Sequence, residues 1–370
     1  MRYTFITGTR ADFGKLKNVI NELKVNRENK INIVATGMHL IKEFGQTGLE
    51  IKKLFPNYYI PIEGQRFNES MNIGFSRFMV NFEKYLLKSQ TDLVIVHGDR
   101  FDALGASIVA TNNNIHVAHI EGGEVSGTID EAIRHSVSKF SHLHFVSNDE
   151  SKKRVLRLGE NPNHIYVTGS PETDILLSSN LPSKKETFLR YDIEFDNYCI
   201  FCFHPVTSEL NKTRSYIREI IEFAKLIKKQ IIWIYPNNDN GSNIIIEEIK
   251  KITSPKIKFF ESLRFEHYIT LLKNCEMIVG NSSSGVREAP VFGVPCINLG
   301  SRQSGRVKNN MIFNTDIDIK KMQEAYNKIL ISDSGKKNFK FGKGNVAKKI
   351  TKILKTINLM EVPIQKKFYE

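Results

Sequence analysis

Two doubly wound, Rossmann-like α/β domains around a central cleft are the fold that three features of the sequence predict. Short β-rich runs alternate with longer runs of helical period. That alternation stops once and then restarts. The residues richest in hydrogen-bonding and titratable groups stand immediately after the β-rich runs, where open parallel sheets bind ligands. A chain of 370 residues is long enough for two such domains, each with its own core.

The first half carries six strand candidates: YTFITGT (3–9), INIVATG (31–37), DLVIVHGD (92–99), HVAHIEGG (116–123), HLHFVSN (142–148) and HIYVTGS (164–170). Between the first two, Leu16, Val19, Ile20 and Leu23 recur on one helical face. Residues 170–196 are polar, include Pro171 and Pro182, and hold no strong strand; they mark the crossing between domains. The alternation restarts with YCIFCFH (198–204), IIWIYP (231–236), IKFFES (257–262), MIVGNS (277–282) and PCINLG (295–300), separated by helical stretches at 215–229, 243–252 and 266–275. The expected division is 1–172, 173–350 and a C-terminal segment 351–370. A last helix, near 345–357, is expected to pack back on the first domain.

Composition narrows the class. The formal net charge is +13, from 53 Lys plus Arg against 40 Asp plus Glu. The surplus is mainly lysine scattered along helices, and no arginine-rich stripe with interleaved aromatics is present, so nucleic acid is not expected as a partner. Met1-Arg2 leads directly into the first strand candidate, and no apolar run approaches bilayer-spanning length; a cytoplasmic protein with no membrane partner is expected. Cys199 and Cys202 form C-x-x-C, but on a strand positions i and i+3 point to opposite faces, so all four cysteines are expected to be small buried hydrophobes. His142 and His144 share a strand face without a suitably spaced third ligand. No protein-ligated metal is expected.

The densest signal is MIVGNSSSGVREAP, residues 277–290. An apolar strand runs into Gly280, Asn281, three serines and Gly285, with a helix expected to begin near Val286. Small residues and a helix start favour an anion, and Ser282 and Ser283 add hydroxyl donors. The alternative is a serine cap on an ordinary turn. No serine here has glycine at both flanking G-x-S-x-G positions, so a nucleophile elbow is excluded. Glu288, read as lying in the first helical turn, would be repelled by a phosphate unless it accepted hydrogen bonds from ribose hydroxyls.

In the first half, GTRADFGK (8–15) offers Arg10, Asp12 and Lys15 after the first strand, without a dinucleotide or phosphate-loop fingerprint. Asp99 and Arg100 follow one strand, and Glu121 follows another; Asp130 and Arg134 lie one helical turn apart. Carboxylates converging on strand ends suit general acid–base chemistry, the alternative being solvated pairs Asp99–Arg100 and Asp130–Arg134. His204 ends the strand 198–204 and could hydrogen-bond a phosphate or serve the structure alone.

Taken in order, GTRADFGK, VHGDRFDALGAS, HIEGGEVSGTIDEAIRHS, FHPVT, YPNNDNGS, GNSSSGVREAP and NLGSRQSGR resemble the hydrolysing UDP-N-acetylglucosamine 2-epimerases of sialic acid biosynthesis. They are similar also to the epimerase half of the bifunctional vertebrate epimerase/kinase. The resemblance implies a glycosyltransferase-B-like fold and conversion of UDP-GlcNAc and water to N-acetylmannosamine and UDP. The implied route removes the carbon-2 proton as UDP leaves, then adds water to a glycal. No cofactor is implied. Asp99, Glu121 and Asp130 match the family's catalytic carboxylates, and Arg134 an active-site arginine. Arg10, Ala11, Arg100, His204, Asn237, Ser282, Ser283, Glu288 and Arg302 match UDP-contacting positions, in the loop closed by Gly285 for the serine pair. His39 matches a histidine near the sugar and Leu263 a position beside the uracil. The partners implied are UDP-GlcNAc and UDP, with a homodimer or homotetramer. Within the resemblance, a 4-amino-6-deoxy sugar nucleotide is the alternative substrate. Non-hydrolysing relatives usually carry Pro-Glu after GTR, where this chain has Ala11-Asp12.

Overall fold

The computed structural model describes residues 1–370 except Gly127, Asn238, Lys308, Asp333, Ser334 and Lys336. Two of the motifs above therefore include a residue outside the described set, Gly127 in one and Asn238 in the other. The chain divides into two compact units. One comprises Met1–Glu124, Asp130–Ser178 and Lys340–Glu370; the other comprises Val125–Ile129 and Ser179–Phe339.

The first unit is built on seven parallel strands: β1 Arg2–Thr7, β2 Lys30–Ala35, β3 Tyr59–Pro61, β4 Leu93–His97, β5 His116–Ile120, β6 Leu143–Val146 and β7 Ile165–Val167. Their order is β3-β2-β1-β4-β5-β6-β7, so the direction of winding reverses between β1 and β4. Alternate strand residues feed two cores. Phe5, Ile33 and Ile95 pack with Leu16, Val19, Ile20 and Leu23 of the helix Arg10–Lys24. Ile6, Val34 and Val94 pack on the other face with Phe78, Phe82 and Leu86 of the helix Met71–Ser89. Burial on both faces is why these strands read as nearly continuous apolar runs.

The second unit repeats the plan with β8 Tyr198–Cys202, β9 Gln230–Ile234, β10 Ile257–Phe260, β11 Ile278–Gly280, β12 Cys296–Leu299 and β13 Ile312–Thr315. The order β10-β9-β8-β11-β12-β13 reverses between β8 and β11. Cys199 and Phe201 face one core, and Tyr198 and Ile200 the other. All four cysteines are buried and free.

The C-terminal segment is part of the first unit. Ile350 and Leu354 of the helix Val346–Thr356 join the core of β1 and β2. Asp174 caps that helix, accepting from Val346 N at 2.7 Å and Ala347 N at 2.8 Å. Beyond it the chain crosses the ends of β5 and β6. His116 Nε2–H donates to Val362 O at 2.8 Å and His142 Nε2–H to Ile364 O at 3.1 Å. Lys366 Nζ donates to Lys139 O at 2.6 Å and Ser141 O at 2.5 Å, closing the end of the helix Ile129–Phe140. The same ammonium lies 2.6 Å from Glu160 Oε2, which His144 Nε2 also meets at 3.1 Å. His142 and His144 thus take separate partners.

Among the described residues no helix is long and apolar enough to cross a membrane.

Candidate active site

The first cluster gathers at the reversal of winding in the first sheet. After β1, Thr9 caps the helix Arg10–Lys24, its hydroxyl accepting from Asp12 N at 3.1 Å. Asp12 Oδ2 accepts from Gly8 N at 3.1 Å, and its Oδ1 stands 2.8 Å from His97 Nδ1 at the end of β4. On its other side, His97 Nε2 lies 3.2 Å from Glu121 Oε2. Burial alone would lower the His97 pKa, but the carboxylates of Glu121 and Asp12 reverse this and raise it to about 9. Lys15 Nζ is 3.6 Å from Glu121 Oε2 and 2.5 Å from Glu172 Oε2. Ser170 Oγ donates to Glu121 Oε1. Glu121 is therefore faced by an imidazolium, an ammonium and a hydroxyl. Its own backbone has φ +66°, a region that residues with a side chain enter at a cost of order 1–3 kcal/mol.

A second group adjoins this one. Arg134, buried in the helix Ile129–Phe140, donates to Asp99 Oδ2 and to Glu124 O, the latter at 3.0 Å. Burial would lower the Arg134 pKa, yet Asp99, Glu124 and Asp130 together raise it, so the guanidinium stays charged. Arg134 thus pairs with Asp99, and the charge of Asp130 adds to its surroundings. Asp130 sits in the first turn of that helix, half-buried. The loop bearing Asp99 is fixed from below: His119 Nε2–H donates to Gly98 O at 2.8 Å, and its Nδ1 is 3.0 Å from Ser138 Oγ.

Of the other expected residues in this unit, Arg10 Nε meets Glu50 Oε2 at 3.3 Å, Ala11 is exposed, and Arg100 precedes the helix Phe101–Asn112 as its cap position. His39 is buried, with Nε2 3.0 Å from Thr7 Oγ1 and Nδ1 2.6 Å from Thr47 Oγ1.

Burial pushes the pKa of His39 down to about 4, of His119 to about 3 and of His142 to about 4. These rings are neutral in the folded chain and gain protons on unfolding below pH ~6.5. Folded values depressed below the unfolded value mean stability lost as pH falls from about 6.5 towards 4. The expected result is a urea midpoint that falls distinctly as pH is lowered from about 6.5 to about 5.

The second unit gathers its polar groups at its own reversal, between β8 and β11. Asn281, fully buried after β11, accepts from His204 N at 2.7 Å and donates to His204 O at 2.8 Å, tying together the loops that leave the two strands. His204 Nδ1 accepts from Asn237 N at 3.0 Å. Arg302 and Gln303 donate to Asn281 O at 3.2 and 3.1 Å. Ser282 caps a helix, its Oγ accepting from Ser284 N at 3.4 Å, and Tyr268 Oη donates to Ser284 Oγ.

Two local expectations need correction. The helix begins at Ser283, not near Val286, and Gly285 lies inside it. A Cβ on Gly285 would stand 2.5 Å from Cys296 Sγ, so the glycine serves close helix–strand packing rather than a loop. Glu288 consequently lies not in the first turn but at the junction of the helical segments Ser283–Arg287 and Ala289–Phe292, buried. Leu263 is buried in the core formed with Ile193 and Phe195.

Within the first unit, then, Asp99 and Arg134 meet directly, and Glu121 belongs to the network through His97. In the second, His204, Asn237 and Arg302 converge on or around Asn281, beside the start of the helix that carries Ser282 and Ser283. His97, Lys15, Asp12 and Glu172 complete the first network, and Asn281 and Tyr268 the second. The signal for His97 was its place in VHGD, one residue before the loop at a strand end.

These two clusters can be set beside known proteins. The family model described as UDP-N-acetylglucosamine 2-epimerase matches residues 21–355. The UDP-N-acetylglucosamine 2-epimerase of Neisseria meningitidis serogroup B is 37% identical over 372 residues, covering 100% of this chain and 99% of that one. The UDP-N,N'-diacetylbacillosamine 2-epimerase (hydrolyzing) of Legionella pneumophila is 33% identical, covering 96% of each. The crystal structure of the Methanocaldococcus jannaschii UDP-GlcNAc 2-epimerase, solved with UDP-GlcNAc and UDP, superposes with a TM-score of 0.81 at 24% identity, over 96% of this chain and 99% of that one. The shared fold is the pair of Rossmann-like units of the glycosyltransferase-B type. With a family match running through both sheets and relatives aligned end to end, the chain belongs to the UDP-N-acetylglucosamine 2-epimerase family.

Proposed function

We propose that this enzyme is a hydrolysing UDP-N-acetylglucosamine 2-epimerase that forms N-acetylmannosamine and UDP, the entry step to sialic acid. The observation that carries the reading is Glu121, a buried carboxylate at a strand end, faced by His97 and Lys15 and held by Ser170. Abstraction of a carbon-bound proton needs a base fixed in position and protected from bulk water. Glu121, Asp99 and Asp130 supply carboxylates for that step, and Arg134 orients Asp99. His204, Asn237, Ser282, Ser283, Glu288 and Arg302 are the UDP-binding residues of this reading, and Arg10, Ala11 and Arg100 match further UDP-contacting positions of the family. Charge developing on the departing diphosphate is met by fixed donors, the arrangement that lowers such barriers most.

The hydrolysing outcome is favoured by the name of the Legionella relative and by Ala11-Asp12 after Thr9-Arg10. The same relative, with one from Campylobacter jejuni at 34% identity named GDP/UDP-N,N'-diacetylbacillosamine 2-epimerase (hydrolyzing), supports a second reading in which the sugar is a 4-amino-6-deoxy derivative.

NMR of the products formed from UDP-GlcNAc in heavy water tests the proposal. Free N-acetylmannosamine with deuterium at carbon 2, alongside UDP, is expected. Intact UDP-N-acetylmannosamine as end product would show a non-hydrolysing enzyme. Faster turnover of UDP-N,N'-diacetylbacillosamine in a parallel reaction would select the second substrate.

A further inference from the structure

We propose that Asp102 is a further catalytic residue, the acid that hydrates the glycal after UDP has left. The proposal rests on the hydrolysing reading above and assigns a step to a residue outside the carboxylate set already named. Asp102 lies in the first turn of the helix Phe101–Asn112, immediately after β4. Its carboxyl rests on the backbone where β1 and β2 end. A Cβ built on Gly8 would stand 2.3 Å from Asp102 Oδ2, and one built on Gly37 would stand 3.1 Å from it. The carboxyl thus packs directly over the backbone at Gly8 and beside Gly37. The group therefore occupies the reversal of winding between β1 and β4, the place where open sheets of this kind bind ligands.

What separates Asp102 from its neighbours is its company. Glu121 faces His97 and Lys15, and Asp99 faces Arg134. Among the described residues no cation lies within ion-pair distance of Asp102. Its pKa is raised by burial, the largest influence; Arg100 pulls it down, and the charge of Asp12 adds a smaller upward push. Side by side at the strand ends stand carboxylates held with cations and one carboxyl that burial shifts towards its protonated form. Pairs pushed apart in this way divide into base and acid.

Elimination takes the carbon-2 proton to a carboxylate of the cation-bound set, while UDP departs with the electrons of the C1–O bond. The product is a glycal with a C1=C2 double bond. Asp102 then gives its proton to carbon 2, the π electrons forming the new C–H bond. Cationic character at carbon 1 is shared with the ring oxygen and captured by water. That water passes its proton to the Asp102 carboxylate, restoring the acid. The first base returns its proton to solvent.

The test is Asp102→Asn in the full-length enzyme, followed by UDP release and sugar products in the same reaction. Elimination is expected to persist within about tenfold of wild type, while N-acetylmannosamine formation falls by about a hundredfold or more and 2-acetamidoglucal accumulates. Synthetic 2-acetamidoglucal supplied with UDP should be hydrated by wild type and by Asp102→Glu, which keeps an acid, but not by Asp102→Asn. N-acetylmannosamine formed by Asp102→Asn at the wild-type rate, or equal loss of both steps, overturns the assignment. If Asp102→Asn does not fold, failure of folded Asp102→Glu to hydrate the glycal overturns it equally. A wild-type enzyme that releases no UDP from UDP-GlcNAc, or returns the UDP-linked epimer, overturns instead the functional reading beneath it.

Discussion

Glu121→Gln is expected to lower kcat by about a thousandfold with KM changed by no more than about threefold. The substitution keeps shape and removes charge. It takes the carboxylate from between His97 and Lys15, at 3.2 and 3.6 Å, and leaves two buried cationic groups with one fewer counter-charge. His97 should respond measurably. Its pKa of about 9 opposes a burial effect that favours the neutral ring, and Glu121 is the largest of the influences raising it. In the wild type, activity should therefore hold through neutral pH and decline as pH rises through about 9, when the imidazolium loses its proton. In stability the sign is the same. A histidine raised above its unfolded value stabilises below pH ~6.5, and that contribution is lost as pH climbs through the folded value. In Glu121→Gln the alkaline limb should move to lower pH. A pH–rate profile of the residual activity, with ¹⁵N NMR of the ring, checks both statements. An unmoved His97 titration would remove Glu121 as its partner.

The second large effect is expected at Gly280, where Gly280→Ala should lower stability by about 3–4 kcal/mol and abolish tight UDP binding. Gly280 has φ +142°, and a Cβ there would stand 1.9 Å from Cys202 O. That carbonyl belongs to β8, the neighbouring strand, so no side-chain rotation relieves the clash. Either β8 and β11 part or the loop bearing Asn281 moves, and Asn281 is what fixes His204. Gly305→Ala is the control. Gly305 also has positive φ, +73°, but nothing lies within 4 Å of its added Cβ, so only about 1 kcal/mol of backbone strain is expected. Urea midpoints of the two variants, with UDP titration by calorimetry, separate clash from strain.

Much of this fold is legible in the sequence because parallel strands covered on both faces carry their own apolar signature. All eleven strand candidates correspond to strands. The two that escaped notice, β3 and β13, are short edge strands, each paired on one side only and part-exposed; β7 and β10 are edge strands too, but HIYVTGS and IKFFES carry a β-rich run. With one neighbour and half a core to face, Tyr59–Pro61 needs no apolar run. The helix at Ser283 escaped for a different reason. A serine run with a glycine two residues on reads as loop, and only Cys296 on the adjacent strand explains the glycine as packing. At the site, the residue types and their placement after strands could be read, but the pairings could not. Arg134 pairs with Asp99, 35 residues away, and His97 joins the ends of three segments distant in sequence. Local spacing does not encode such choices. They follow from strand order, which brings β1, β4 and β5 side by side.

One feature of the topology bears on synthesis. The first unit contains both Met1–Glu124 and Lys340–Glu370, so nearly all of the second unit is spelled out before the first is complete. On the ribosome, the nascent β1 and β2 must wait for Ile350 and Leu354 to cover them, and the helix Ile129–Phe140 must wait for Lys366. The earliest-made part of the first unit thus gains its full cover only after the second unit has been translated, and the helix bearing Arg134 is secured only once Lys366 has emerged.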